Sequence, residues 1–437
     1  MTNRAKAERH GCLATTVCLT LAAFAHAEGS TRDLAAAIRD WDMPVLQSVA
    51  GQRSHGGQTA LARGVLSEFE GDDAAAIRQL SESLLSGHLD DPDKQAAFTE
   101  LGTVYLRDQQ YSLAVSAFES ALKLSNKVGA EETEQISRAL ANAGAFSGIP
   151  RMTKTVMNHD PIPLTRDAMD LPRAEVKING NQVDAIVDTG ASNSVVSVST
   201  AKLLNLRMLR AKGSVTSAGI GRVPAQFGVA DTLRFAGHEF RNVPFIVLAD
   251  EALTVPVEVG VAKLEPIIGV SVLRLLGRFE ISRDGGKERL QVAFGELNSD
   301  MPANLILAGT LPVVLLGANA DGTQLRMALD TGANRTSLAP VAIAKHPQLT
   351  AGATLGKTSM AGAGGIAANN SATIVPQISL RIGTGTSQLS HVPVSPGPDN
   401  CEGTLGQDAL RFGRGYVIDF VHMTVNVLPA VGARSGR

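Results

Sequence analysis

Two short stretches of this chain end an apolar run in a carboxylate and then continue with the same three residues. They are Ile186-Val187-Asp188-Thr189-Gly190-Ala191-Ser192 and Ala328-Leu329-Asp330-Thr331-Gly332-Ala333-Asn334. The two aspartates lie 142 residues apart (188 to 330), the size of one small domain. One Asp-Thr-Gly arises by chance about one time in ten in a chain this long, so a single copy carries little weight. Two copies in the same apolar setting carry much more. The residue types suit one chemistry. Adding water to a peptide carbonyl needs one group to take a proton from water and another to give one to the carbonyl oxygen. Two carboxylates a few Å apart do both, because like charges so close do not both ionise and one proton is shared. A threonine beside each aspartate can hydrogen-bond across to the opposite loop and hold the carboxylates in one plane. The glycine permits a tight turn and leaves room beside the carboxylate.

Both stretches resemble the active-site loops of aspartic proteases. The Ala after Asp-Thr-Gly resembles the retropepsin branch more than the pepsin branch, which has Ser or Thr there. The resemblance extends beyond the loops. Ala218-Gly219-Ile220-Gly221 and Gly364-Gly365-Ile366-Ala367 resemble glycine-rich flap tips. Ile267-Ile268-Gly269-Val270 and Thr404-Leu405-Gly406-Gln407 resemble the apolar-Gly segment that braces each Asp loop and leads into a short helix, for which Leu273-Arg274-Leu275-Leu276 and Ala409-Leu410 are suited. The order loop, flap, apolar-Gly segment occurs twice between about residues 170 and 430, which makes an internal repeat. The resemblance implies an all-β bilobal aspartic protease, two retropepsin-like lobes in tandem. In it Asp188 and Asp330 are catalytic, and Thr189, Gly190, Thr331 and Gly332 support them. Gly219, Ile220, Gly221, Gly365 and Ile366 close as flaps over an extended polypeptide substrate. It implies no metal and no cofactor. The chain departs from the pepsin pattern in having no Tyr in either flap segment, and its two loops differ where Ser192 stands against Asn334.

Each loop needs an element to deliver it. Residues 174–187 alternate, turn at Asn179-Gly180, and alternate again, which predicts a hairpin ending at Asp188. Residues 313–329 do the same about Ala320-Asp321-Gly322 and end at Asp330.

The rest of the chain reads as additional domains. Arg4, Lys6 and Arg9 precede an apolar stretch from Cys12 to Phe24, and Ala25-His26-Ala27 is a small-x-small cleavage site. Residues 1–27 are therefore expected to be a signal peptide, and the protein periplasmic or secreted. The mature chain would keep one cysteine, Cys401, so no intramolecular disulfide is expected. Residues 28–146 read as helical. The segment Phe98 to Leu124, with its turn at Asp108-Gln109-Gln110, and a weaker copy from Leu61 to Leu85 resemble a tetratricopeptide (TPR) repeat. Such arrays bind polypeptides, so a protein partner through this domain is a second expectation; a helical cover or spacer for the protease is the alternative. Residues 147–171 are proline-rich and read as a linker, becoming an edge strand near Ile162-Pro163-Leu164. Residues 172–300 and 301–437 are the two lobes. The whole is a multidomain chain.

Composition excludes several classes. A net charge of −2 and 4 % aromatic residues leave no basic, base-stacking surface for nucleic acid. No segment after the signal is long and apolar enough to span a membrane as a helix. There is no His-Glu-x-x-His, no Cys-x-x-Cys and no Gly-x-Ser-x-Gly, and His238, His346, His391 and His422 read as isolated surface histidines. The competing reading is a catalytically inactive peptide-binding or TPR scaffold protein of the cell envelope. With Ala191 and Ala333 in place of hydroxyl residues, the carboxylates lose a donor to their ionised form, so activity is expected in weak rather than strong acid.

Overall fold

The computed structural model describes residues 33–53, 56–124, 129–217, 221–256, 260–292 and 301–429; the expected signal peptide lies outside them. Seven helices occupy the described part of the N-terminal region: α1 (Leu34–Arg39), α2 (Met43–Ala50), α3 (Gly57–Phe69), α4 (Asp73–Leu85), α5 (Asp91–Arg107), α6 (Tyr111–Lys123) and α7 (Ala130–Phe146). Four starts are capped by aspartates, as Asp33, Asp42, Asp72 and Asp90 accept from backbone N–H groups of the first turn, each such cap contributing about 1 kcal/mol. The helices pack in antiparallel pairs where glycine lets them approach. A Cβ on Gly64 would lie 2.7 Å from Leu80, and one on Gly102 would lie 2.7 Å from Phe118.

The helical array does not present its apolar face to solvent. Leu61, Val65, Phe69 and Val104 share one core with Ile306, Val313, Ala328 and Cys401 of the β region. Tyr111 and Phe146 share another with Ile186, Phe227 and Ile246. A charged junction reinforces this packing. Arg107 donates to Asp73 (2.6 Å) and to the Gly309 carbonyl (2.7 Å), and Arg274 donates to the other Asp73 oxygen (2.7 Å).

The β region has two halves built to the same plan. In the first, the hairpin Pro172–Ile178/Asn181–Val187 turns at Asn179 (φ 47°) and Gly180 (φ 88°), the left-handed pair a two-residue turn requires. Ile267–Ile268 runs parallel to Ile186–Val187 and antiparallel to Val195. In the second, Leu311–Ala318 and Thr323–Leu329 form the hairpin, Gly403–Leu405 runs parallel to Met327–Leu329, and Ser337–Leu338 pairs antiparallel with that segment. Each half also has a long hairpin, Arg207–Ser217/Gly221–Phe235 and Thr354–Gly362/Gly365–Ile382, and a short helix, Val270–Leu276 and Gln407–Leu410.

Two closing hairpins join the halves. Arg278–Asp284 pairs with Gly415–Asp419 in the register Phe279↔Ile418, Glu280↔Val417, Ile281↔Tyr416. Phe279 stands as far beyond Gly269 as Tyr416 stands beyond Gly406, and Ile281 likewise matches Ile418. Exchanging the halves therefore reproduces the pairing, with a local two-fold axis at Glu280/Val417. The C-terminal strands consequently belong to the sheet of the first half.

Residues 147–171 differ from a linker. Thr153–Val156 pairs with His238–Arg241, and Ile162–Arg166 lies between Pro172–Ala174 and Glu288–Leu290, so it is an interior strand rather than an edge. A strand's N–H groups alternate between its two neighbours, and Pro163 removes only one of those bonds. Among the described residues, no helix is long and apolar enough to cross a membrane.

Candidate active site

Asp188 and Asp330 each stand at the end of a buried strand. Each is held from below by the apolar-Gly segment of its own half, Asp188 N–H donating to Ile268 O and Asp330 N–H to Leu405 O, both at 3.1 Å. The loops then cross. Thr189 N–H donates to Thr331 Oγ1 (2.9 Å) and Thr331 N–H to Thr189 Oγ1 (3.0 Å). The hydroxyls pass their own protons onward, Thr189 to Leu329 O (2.8 Å) and Thr331 to Val187 O (2.7 Å). Both threonines are buried, so the four bonds are shielded from water and form a closed ring that admits one relative placement of the loops.

The glycines show how close the aspartates come. A Cβ on Gly190 would lie 2.5 Å from Asp330 Cγ, and a Cβ on Gly332 would lie 2.4 Å from Asp188 Cγ. Each glycine thus makes room for the other loop's carboxylate, a more specific role than admitting a turn. Asp188 Oδ1 accepts from Gly190 N–H (2.7 Å) and Ala191 N–H (3.2 Å), while Asp330 Oδ1 accepts from Gly332 N–H (2.9 Å). Loss of solvation pushes the Asp188 carboxyl upward. It pushes Asp330 further, to well above the usual carboxylate range, with the neighbouring Asp188 charge as the second cause. The arrangement can share one proton between two oxygens that face the same space.

The bracing segments pack against the loops through glycine as well. A Cβ on Gly269 would lie 2.5 Å from Asn193 O, and one on Gly406 would lie 2.6 Å from Arg335 O. Val270 N–H donates to Ala191 O (2.8 Å) and Gln407 N–H to Ala333 O (2.9 Å).

Of the residues expected at the flaps, Gly219 and Ile220 lie outside the described residues. Gly221 opens the returning strand of the first long hairpin with φ 87°. In the second, Gly362 pairs with Gly365 and Ala361 with Ile366. The turn itself is therefore Ala363-Gly364, two residues earlier than the expected Gly365-Ile366, and Gly365 and Ile366 begin the return. That tip reaches the first half, where Gly364 N–H donates to Ala252 O (2.6 Å) and Ala363 packs on the core containing Leu253 and Val255. Nothing in the local sequence marked Ala252 as a contact. The first hairpin is backed instead by α7, through Phe146 against Phe227 (5.3 Å between ring centres) and Arg222 against Glu134 (2.9 Å).

Other candidate groups lie apart from this centre. His238 is 1 % exposed, with Nδ1 2.7 Å from Ala236 O and its ring over Phe240. It is a core residue and not the surface histidine expected from its position at a strand start, because the hairpin folds that end inward. Cys401 is buried, which pushes its thiol up to about 12, leaving no thiolate for nucleophilic chemistry at neutral pH. Among the described residues no group of three or more His, Cys, Asp or Glu could hold a metal ion.

Comparison with known proteins bears on this geometry. A sequence model of the family described as aspartyl protease matches residues 174–272, the span from the first hairpin to the brace beyond Gly269. The matched stretch is similar to that family over less than a quarter of the chain. The chain is also similar to a retropepsin-like aspartic protease from Rickettsia conorii whose crystal structure is known, with 19 % identity over 32 % of this chain and 95 % of that one, at a TM-score of 0.20. No curated protein matches. The matched span contains Asp188, while Asp330 lies beyond it.

Proposed function

We propose that this protein is an exported aspartic endopeptidase in which two retropepsin-like lobes of one chain supply Asp188 and Asp330 to a single centre. The observation that carries the reading is the reciprocal crossing of the two Asp-Thr-Gly loops, each threonine closing on the other loop and each glycine facing the other aspartate. Peptide would lie extended between the lobes and pair with the hairpin backbones. Asp330, whose burial favours the neutral form more strongly, carries the shared proton, and Asp188 is the base. A water between them attacks the scissile carbonyl carbon, giving a proton to Asp188 while Asp330 protonates the carbonyl oxygen. The resulting gem-diol collapses as one hydroxyl returns its proton to Asp330, the C–N bond breaks, and the amine leaves with the proton held at Asp188.

The TPR-like helices act in this reading as a brace across both lobes, because their apolar face is already occupied by Ile306, Val313 and Phe227. The leading residues 1–27 support export to the periplasm or beyond. The test uses residues 28–437 with a mixed peptide library between pH 3 and 7. The expected result is cleavage with a maximum in weak acid, blocked by a statine-type inhibitor and absent from Asp188→Asn and Asp330→Asn. Cleavage that survives either substitution overturns the proposal, as does a maximum below about pH 3.

A further inference from the structure

The two braces differ at one residue. After Gly269 the first half has Val270, and after Gly406 the second has Gln407. Gln407 is 1 % exposed, and each polar atom of its amide has a partner. Oε1 accepts from Arg166 Nη1 (3.0 Å), while Nε2 donates to Thr331 O (2.9 Å) and to Tyr416 OH (3.2 Å). A guanidinium only donates, so the arginine determines which end of the amide is oxygen. The nitrogen must then face the Thr331 carbonyl.

That carbonyl belongs to the peptide unit Thr331–Gly332, whose N–H donates to Asp330 Oδ1 (2.9 Å). A donor placed on the oxygen of a peptide polarises it and strengthens its N–H as a donor on the far side. Val270 brings no side-chain donor to the corresponding peptide of the first half. We infer that Gln407 is a positioning residue that acts through the Thr331–Gly332 peptide on Asp330 more than on Asp188 and makes the two carboxylates chemically unequal. Arg166 keeps it in place, itself held by Glu288 (2.7 Å) and Asp170 O (2.9 Å). The strand Ile162–Arg166 thereby links the segment before the protease domain to the second aspartate.

The direction of the effect follows. Strengthening the donor to Asp330 favours its ionised form and offsets part of the upward push from burial. Removing Gln407 lets the Asp330 carboxyl rise further, so the neutral-side limb of the pH profile moves to higher pH and kcat falls more than KM changes.

The inference rests on the proteolytic reading, and its test keeps the two apart. Full-length parent and Gln407→Met, labelled with carboxyl-13C aspartate, are titrated by NMR, with the Asp330 signal assigned from Asp330→Asn. This readout needs no turnover. The Asp330 titration is expected to move up by about half a pH unit or more in Gln407→Met while that of Asp188 moves less, and the kcat profile is expected to follow. An unmoved Asp330 titration in folded Gln407→Met overturns the inference whether or not the parent cleaves peptides. Absence of cleavage by the parent overturns only the proteolytic reading. Arg166→Met, which leaves the bracing residue in place but frees its oxygen, gives the same direction with a smaller shift; it serves where Gln407→Met does not fold.

Discussion

The two Asp-Thr-Gly loops share their threonine hydrogen bonds and their braces, and differ in the side chains and hairpin contacts beyond them. Thr189 and Thr331 each give and receive the same pair of bonds within about 0.1 Å of one another. Around that ring the halves diverge. The first long hairpin rests on α7, whereas the tip of the second crosses to Ala252. Ser192 accepts from Thr310 of the other half (2.8 Å), while Asn334 is exposed. Val270 braces with its backbone alone, and Gln407 adds its side chain. The difference shows where two similar loops can be unlike. Atoms that must meet on the local two-fold axis are coupled to their own counterparts, so a change in one loop is felt at once in the other. Atoms a few residues away are coupled to different neighbours and differ.

The largest expected effect tests the shared centre. Asp188→Asn and Asp330→Asn should each lower kcat by at least about 10²–10⁴-fold with little loss of fold, measured by peptide cleavage and thermal unfolding. A variant with one aspartate replaced and turnover retained would break the symmetry of the reading.

Phe146→Ala sharpens the contrast between the hairpins. It should cost about 3–5 kcal/mol, as for a buried aromatic in a core, and hydrogen exchange should accelerate in residues 207–235 more than in 354–382. Equal acceleration in both would mean that α7 does not back the first hairpin selectively.

The threonine ring predicts equality. Thr189→Val and Thr331→Val each strand a buried N–H of the opposite loop, which costs about 1–3 kcal/mol, and the two losses should agree within error by denaturant unfolding. Serine at either place should recover most of the loss, since it keeps the oxygen. Unequal losses would show that one loop holds the other.

The smallest effect is on stability against pH. Burial raises Asp188, Asp330 and, in the helical region, Glu68 and Glu100. A carboxyl raised on folding binds more protons in the native state between its unfolded and folded values, so stability is full below that window and falls as pH rises through it. The unfolding free energy should therefore decline from weak acid toward neutrality. Asp330→Asn should flatten that decline more than Asp188→Asn does, because the Asp330 shift is the larger. A steeper decline in Asp330→Asn would contradict this assignment.

Much of the local construction was legible from residues in order. Alternation with Asn179-Gly180 between predicts a hairpin because the left-handed turn and the two-residue period are local properties, and the same holds for the strands ending at Asp330. The helical pairs were legible for the same reason, through three- and four-residue apolar spacing. Contacts between distant segments were not. The occupied apolar face of the helices, the insertion of Ile162–Arg166 between two strands, the docking of Gly364 on Ala252 and the amide of Gln407 on Thr331 each pair residues whose separation in sequence carries no periodic signal. A side chain's neighbours across a fold are chosen by shape and by the need to satisfy every buried donor, and those are decided only when the sheets and helices come together.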